Sequence, residues 1–219
     1  MSGPTGLRRF AVPSRAARAG AAAGGAGPDG AATEERCEMC GERVPERHGH
    51  LVDTEQRSIG CACTACALLF TRPGGRYRTI PDRVCYDPDA PLTDAEWAGL
   101  AIPVGIAFFF VNSALGHVVA SYPSPAGATE CKLDLDSWER LTGGHPMLGS
   151  AEPDVEAILI AKNDNGVESF IVPIDACYEL AGRMRLLWRG FDGGTEARQA
   201  IAAFLGSVRS RVRALDQEG

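Results

Sequence analysis

Five cysteines fall within thirty residues, and their spacing is that of metal ligands. Cys37-Glu-Met-Cys40-Gly41 is one CxxC turn, and Cys61-Ala-Cys63-Thr-Ala-Cys66 contains a second. Two thiolates on one tight turn lie where backbone N–H groups can point at the sulfurs. Two such turns brought together supply the four sulfurs that a tetrahedral Zn²⁺ takes at about 2.3 Å each. Gly41 permits the left-handed backbone that closes the first turn. A fifty-residue piece with few large apolar residues lacks a core of its own. Metal binding, worth roughly 10–16 kcal/mol in zinc-finger peptides, supplies the missing free energy.

The site residues expected from this pattern are Cys37, Cys40, Cys63 and Cys66, with Cys61 and His50 as further ligands. Cys61 is a fifth thiol, and His48-Gly-His50 lies between the two cysteine groups. Either Cys61 or His50 can replace one sulfur, or a second metal can bind; a histidine can also hydrogen-bond to a ligating sulfur. Zinc is the expected cofactor. Iron, as a rubredoxin-like or Fe–S centre, is the alternative, because clustered thiolates suit both.

The elements that hold this cluster fall into three segments. Residues 1–36 are dominated by Ala and Gly and read as a disordered tail. Arg8-Arg9-Phe10 raises a twin-arginine export signal, but Arg15 and Arg18 interrupt the stretch that follows. Residues 37–86 form the cysteine module, and residues 87–219 an α+β domain. The charge is uneven: the three segments carry +2, +1 and −9, which makes the net −6 of the chain. A general electrostatic grip on nucleic acid or an anionic membrane is therefore not expected. Ile102–Tyr122 is the longest apolar region, but Pro103, Asn112 and Gly116 break it. It reads as two buried strands rather than a membrane span. With no export signal the expected location is cytoplasmic, so the cysteines are not read as a disulfide framework.

In the larger domain Thr93-Asp-Ala-Glu96 is a capping box. Strands are expected over Val104–Val111, His117–Tyr122 and Ala128–Leu133, then a hairpin across Asn163-Asp-Asn-Gly166. A helix capped by Asp175 and another from near Thr195 close the domain. The expected fold is α+β: a zinc-ribbon-like module, then an antiparallel sheet with C-terminal helices over one face. No nucleophile elbow, P-loop, dinucleotide or zincin motif occurs, so no catalytic residue is named. Cys131, Cys177 and His117 are weighed as a Cys/His pair, but Cys177 sits on an apolar helical stripe. Glu130, Asp154, Glu156 and Asp175 read as solvated strand ends.

Several longer strings resemble an uncharacterised family common in actinobacteria and often encoded beside high-affinity nickel–iron hydrogenase genes. They include Cys37-Glu-Met-Cys40-Gly41, His50-Leu-Val-Asp53, Tyr122-Pro-Ser-Pro-Ala-Gly-Ala-Thr-Glu130, Pro173-Ile-Asp-Ala-Cys-Tyr-Glu-Leu180 and Trp188-Arg-Gly190. The resemblance covers roughly residues 37–207. It implies an accessory role in hydrogenase maturation, assembly or electron transfer, with a hydrogenase subunit or maturation factor as protein partner. The leading expectation is a non-catalytic zinc protein whose acidic α+β domain docks that partner. A redox protein carrying iron, or using Cys61 as a relay thiol, is the second. A nucleic-acid-binding zinc ribbon, using Arg72, Arg76, Arg78 and Arg83, is the third.

Overall fold

The computed structural model describes residues 35–164, 166–190 and 193–216. The tail expected over residues 1–36 lies outside them up to residue 34. The chain divides into two compact units between Ile80 and Pro81.

The first unit is built on a small antiparallel sheet. Its strands are β1 (Gly49–Asp53), β2 (Ser58–Ala62) and β3 (Tyr77–Thr79), with β1 in the centre. A short helix, α1 (Thr64–Phe70), follows β2 directly. Only a few side chains are fully buried here, among them Leu51, Val52 and Ala62. Polar bonds fix the turn between β1 and β2. Asp53 Oδ1 accepts from the N–H groups of Glu55 at 3.1 Å and Gln56 at 2.9 Å. Arg76 Nε donates to both Asp53 oxygens at 3.0 Å, and its Nη2 reaches Oδ2 at 2.5 Å. Burial pushes the Asp53 carboxyl up, but the Arg76 guanidinium outweighs it and holds the group below the usual range.

The second unit has a six-stranded antiparallel sheet in the order β4-β9-β8-β5-β6-β7. Its strands are β4 (Cys85–Tyr86), β5 (Ile106–Asn112), β6 (His117–Ser124), β7 (Gly127–Cys131), β8 (Glu156–Asn163) and β9 (Gly166–Pro173). The expected α+β class and antiparallel pairing are present. Residues 81–86, read from the sequence as the end of the cysteine module, build into this unit. Val84 is buried, and Cys85 and Tyr86 pair with Ile171 and Phe170.

Ile106 to Phe110 are all buried because this sheet is covered on both faces. Phe108 and Phe110 meet Tyr178 of α5 (Ile174–Leu187), with ring centroids 5.5 and 6.3 Å apart. Helix α6 (Gly194–Asp216) packs on α5. The C-terminal pair therefore covers one face, as expected. Three short helices cover the other: α2 (Asp94–Gly99), α3 (Leu135–Gly144) and α4 (Pro146–Gly149). Trp97, Trp138, Leu141 and Leu148 from these helices form one core with Ala107, Phe109, Ile158 and Ile160 of the sheet. Phe109 stacks on Trp138 at 5.0 Å.

Two carboxylates read as solvated strand ends are buried instead. Glu156 is 1% exposed. Arg83 grips it with two nitrogens, Nε on Oε1 and Nη2 on Oε2 at 2.8 Å, and the Glu152 N–H donates to Oε2 at 2.8 Å. Asp154 has φ +65° and accepts from the Ser113 N–H at 2.8 Å. Asp134 caps α3. The helix expected to be capped by Asp175 starts earlier. Helix α5 begins at Ile174 straight out of β9, so Asp175 lies in its first turn.

The capping box of α2 is formed as expected. Glu96 accepts from Thr93 N–H at 2.8 Å and Thr93 Oγ1 at 2.7 Å, and His145 Nε2 donates to its other oxygen at 2.9 Å. These donors hold the Glu96 carboxyl at about 2. A depressed folded pKa contributes stability that is present above the unfolded value of 4.5 and is lost as pH falls toward 2. The wild type should lose about 1–2 kcal/mol more than Glu96→Gln between about pH 5 and pH 2. Urea unfolding of both proteins at the two pH values measures this. Equal losses would show that the contact carries no net charge term.

Candidate metal centre

Each CxxC pair sits on a turn that its own backbone closes. At the first, Gly41 N–H donates to Cys37 O at 2.8 Å and Cys37 N–H to Glu42 O at 2.8 Å. Gly41 has φ +79°, the left-handed conformation that glycine adopts without steric cost. At the second, Cys63 caps α1, and the Cys66 N–H donates to Cys63 Sγ at 3.4 Å. That donor would stabilise a ligating thiolate. The two turns are tied together, since Glu38 N–H donates to Cys61 O at 2.9 Å.

The result is a four-sulfur cluster. The Sγ atoms of Cys37, Cys40, Cys63 and Cys66 all lie within 4.8 Å of one another. Cys40 Sγ and Cys63 Sγ are 3.8 Å apart. Two sulfurs bound at about 2.3 Å to a tetrahedral ion are separated by about 3.8 Å. The Cys40–Cys63 pair has the separation that tetrahedral coordination requires, and the four sulfurs lie close enough to hold one ion. Cys37 and Cys66 are buried.

Without a metal, Cys37 and Cys66 are shifted in opposite directions. Burial raises Cys37, but the backbone N–H groups of Cys63, Cys40 and Met39 outweigh it and bring the thiol down to about 6. Burial, then the thiols of Cys63, Cys40 and Cys37, push Cys66 up to about 12. Packing four sulfurs together penalises successive ionisation. A dication removes the penalty and lets all four act as thiolates.

Cys61 and His50 are placed elsewhere. They sit opposite one another in the β1–β2 ladder and form a second group with His48. His48 lies outside the expected ligand set. The signal for it was the His-x-His spacing, which puts both rings on one face of an extended segment.

Residues 36–212 match the family described as DUF5947, a family of unknown function. The chain belongs to DUF5947. No curated protein and no solved structure matches it. The DUF5947 description carries no activity, partner or genomic setting.

In this DUF5947 chain Cys131, Cys177 and His117 belong to neither metal-capable group among the described residues. Cys177 is fully buried on α5, and burial pushes its thiol far up. Burial likewise raises Cys131, on the edge strand β7. Of the arginines considered for nucleic acid, Arg76 is engaged by Asp53 and Arg83 by Glu156. No helix among the described residues is long and apolar enough to cross a membrane.

Proposed function

We propose that this protein is a non-catalytic zinc-binding accessory protein that acts through protein–protein contacts. The observation that carries the reading is the four-cysteine cluster, whose 3.8 Å Cys40–Cys63 separation fits tetrahedral metal. Four thiolates with no open position describe a structural centre, which holds a fold rather than performs a reaction. Zinc is preferred over iron because the Cys61-Ala-Cys63-Thr-Ala-Cys66 group lacks the rubredoxin form of the second knuckle.

The partner part of the reading is supported by the helix that carries Cys66. Leu68 is 77% exposed and Leu69 67%, and Phe70 beside them is also exposed. Adjacent exposed apolar side chains on a metal-fixed helix suit a contact surface. The nickel–iron hydrogenase system is assigned as the setting on the sequence resemblance alone, with a subunit or maturation factor as partner.

Purification of the full chain from its own host tests this. The expected result is a colourless, zinc-containing protein that brings a hydrogenase-system protein with it. Leu68→Glu/Leu69→Glu should lose that partner and keep the zinc. A red-brown preparation with strong visible absorption would replace zinc by iron and favour the redox reading.

A further inference from the structure

We infer that His48, His50 and Cys61 form a second metal site, separate from the four-cysteine cluster, that takes a divalent transition ion such as Zn²⁺ and leaves one coordination position open. The inference goes beyond the structural zinc centre and does not depend on it.

Three observations carry it. The ligand atoms of His48, His50 and Cys61 lie within 4.8 Å of one another, the scale on which one ion can reach all three. The placement follows from the fold. His50 and Cys61 are direct cross-strand partners, so their side chains share one face of the small sheet. His48 precedes His50 by two residues and presents its ring to the same face, with centroids 4.8 Å apart at an interplanar angle of 72°.

The state of the His48 ring is the decisive observation. Its side chain is only 5% exposed. Nδ1 lies 2.8 Å from the Pro45 carbonyl oxygen and 3.6 Å from a Glu35 carboxylate oxygen. Both neighbours can only accept, so Nδ1 carries the hydrogen. In the neutral ring Nε2 then holds the lone pair. That atom is buried with no hydrogen-bond partner. A buried acceptor left unpaired is unfavourable, because it loses its hydrogen bond to water and gains none. A metal ion bound at Nε2 removes the cost. Metal-bound histidines commonly have this arrangement, with one nitrogen on the ion and the other donating to a carbonyl or carboxylate.

The donor set defines the ion. Two imidazoles and a thiolate suit borderline ions such as Zn²⁺ and Co²⁺, and do not suit Mg²⁺ or Ca²⁺. Three protein ligands leave the fourth tetrahedral position to water or to a donor from another molecule. The four-cysteine set, in contrast, is closed.

Co²⁺ titration of the metal-free full chain tests the site, with visible absorption and alkylation mapping as readouts. The unsubstituted protein should take up two equivalents. At one equivalent Cys61 should still react with iodoacetamide while Cys37, Cys40, Cys63 and Cys66 are protected. At two equivalents Cys61 should be protected as well. His48→Ala and Cys61→Ser should each drop uptake to one equivalent and leave the four-thiolate absorption unchanged. Saturation at one equivalent with Cys61 reactive throughout would overturn the inference. So would loss of the four-thiolate absorption on Cys61→Ser with the fold retained by circular dichroism, because Cys61 would then belong to the other centre. Protection of Cys61 alone, with the four cysteines reactive, would uphold this site and remove the structural zinc centre. The mapping uses unsubstituted protein, so it decides even where a variant fails to fold.

Discussion

Cys40→Ser in the full chain should unfold residues 35–80 and leave the six-stranded sheet standing. Cys40 lies 3.8 Å from Cys63 and belongs to the four-sulfur set. The first unit buries few large side chains, so it has little apolar free energy to fall back on. Metal affinity in such a unit is folding free energy, of order 10–16 kcal/mol in zinc-finger peptides. Losing one of four thiolates should therefore cost more than the unit's own stability. Hydrogen exchange with mass-spectrometric readout checks this. Amides of Leu51, Val52 and Ile59 should lose protection, while those of Ile158 and Ile160 keep it. A strong chelator should give the same pattern on the unsubstituted protein. Retained protection in the first unit after complete metal removal would refute the structural role of the metal.

Arg83→Ala should be the most damaging arginine substitution in the second unit, by about 3–5 kcal/mol. Its guanidinium is the ion-pair partner of Glu156, whose side chain is fully inaccessible to water. Removing Arg83 takes the counter-charge from that carboxylate and leaves the Glu152 N–H donating to it. Arg183→Ala is the contrast. Arg183 and Glu179 pair at 2.5 Å on one helix with both side chains more than half exposed. Its loss should change stability by less than about 0.5 kcal/mol. Urea midpoints for the two variants measure the difference. Equal, small effects would mean that the buried Glu156 carboxylate does not depend on Arg83.

These two predictions differ in how far the sequence supports them. The cysteine cluster was legible because CxxC spacing reports a local turn, and two turns suffice to define four ligands. The buried run Ile106–Phe110 was legible too, since five successive apolar residues cannot alternate between core and water. Burial on both faces of the sheet follows from the same run, but the helices that supply the second cover are short. Trp97, Trp138 and Leu148 join it from three separate segments. Glu156 was misread because its partner is 73 residues away in sequence. An isolated glutamate at a strand end carries no local sign of a distant guanidinium. Cys61 and His50 stand out in the sequence, yet their grouping depends on the β1–β2 register. A shift of one residue would have turned Cys61 to the opposite face.

The shortest strand, Cys85–Tyr86, has a consequence for the order in which the chain can finish folding. Its partners, Ile171 and Phe170, lie in the last strand of the sheet. During synthesis this edge must wait until β9 has left the ribosome, and Arg83 waits 73 residues for Glu156. Non-local closure of this kind is slow, because the intervening loop loses entropy before any contact rewards it. The cysteine-bearing unit has no such delay, since every strand pair in it closes by Thr79. A growing chain can therefore capture its metal while the second sheet is still incomplete.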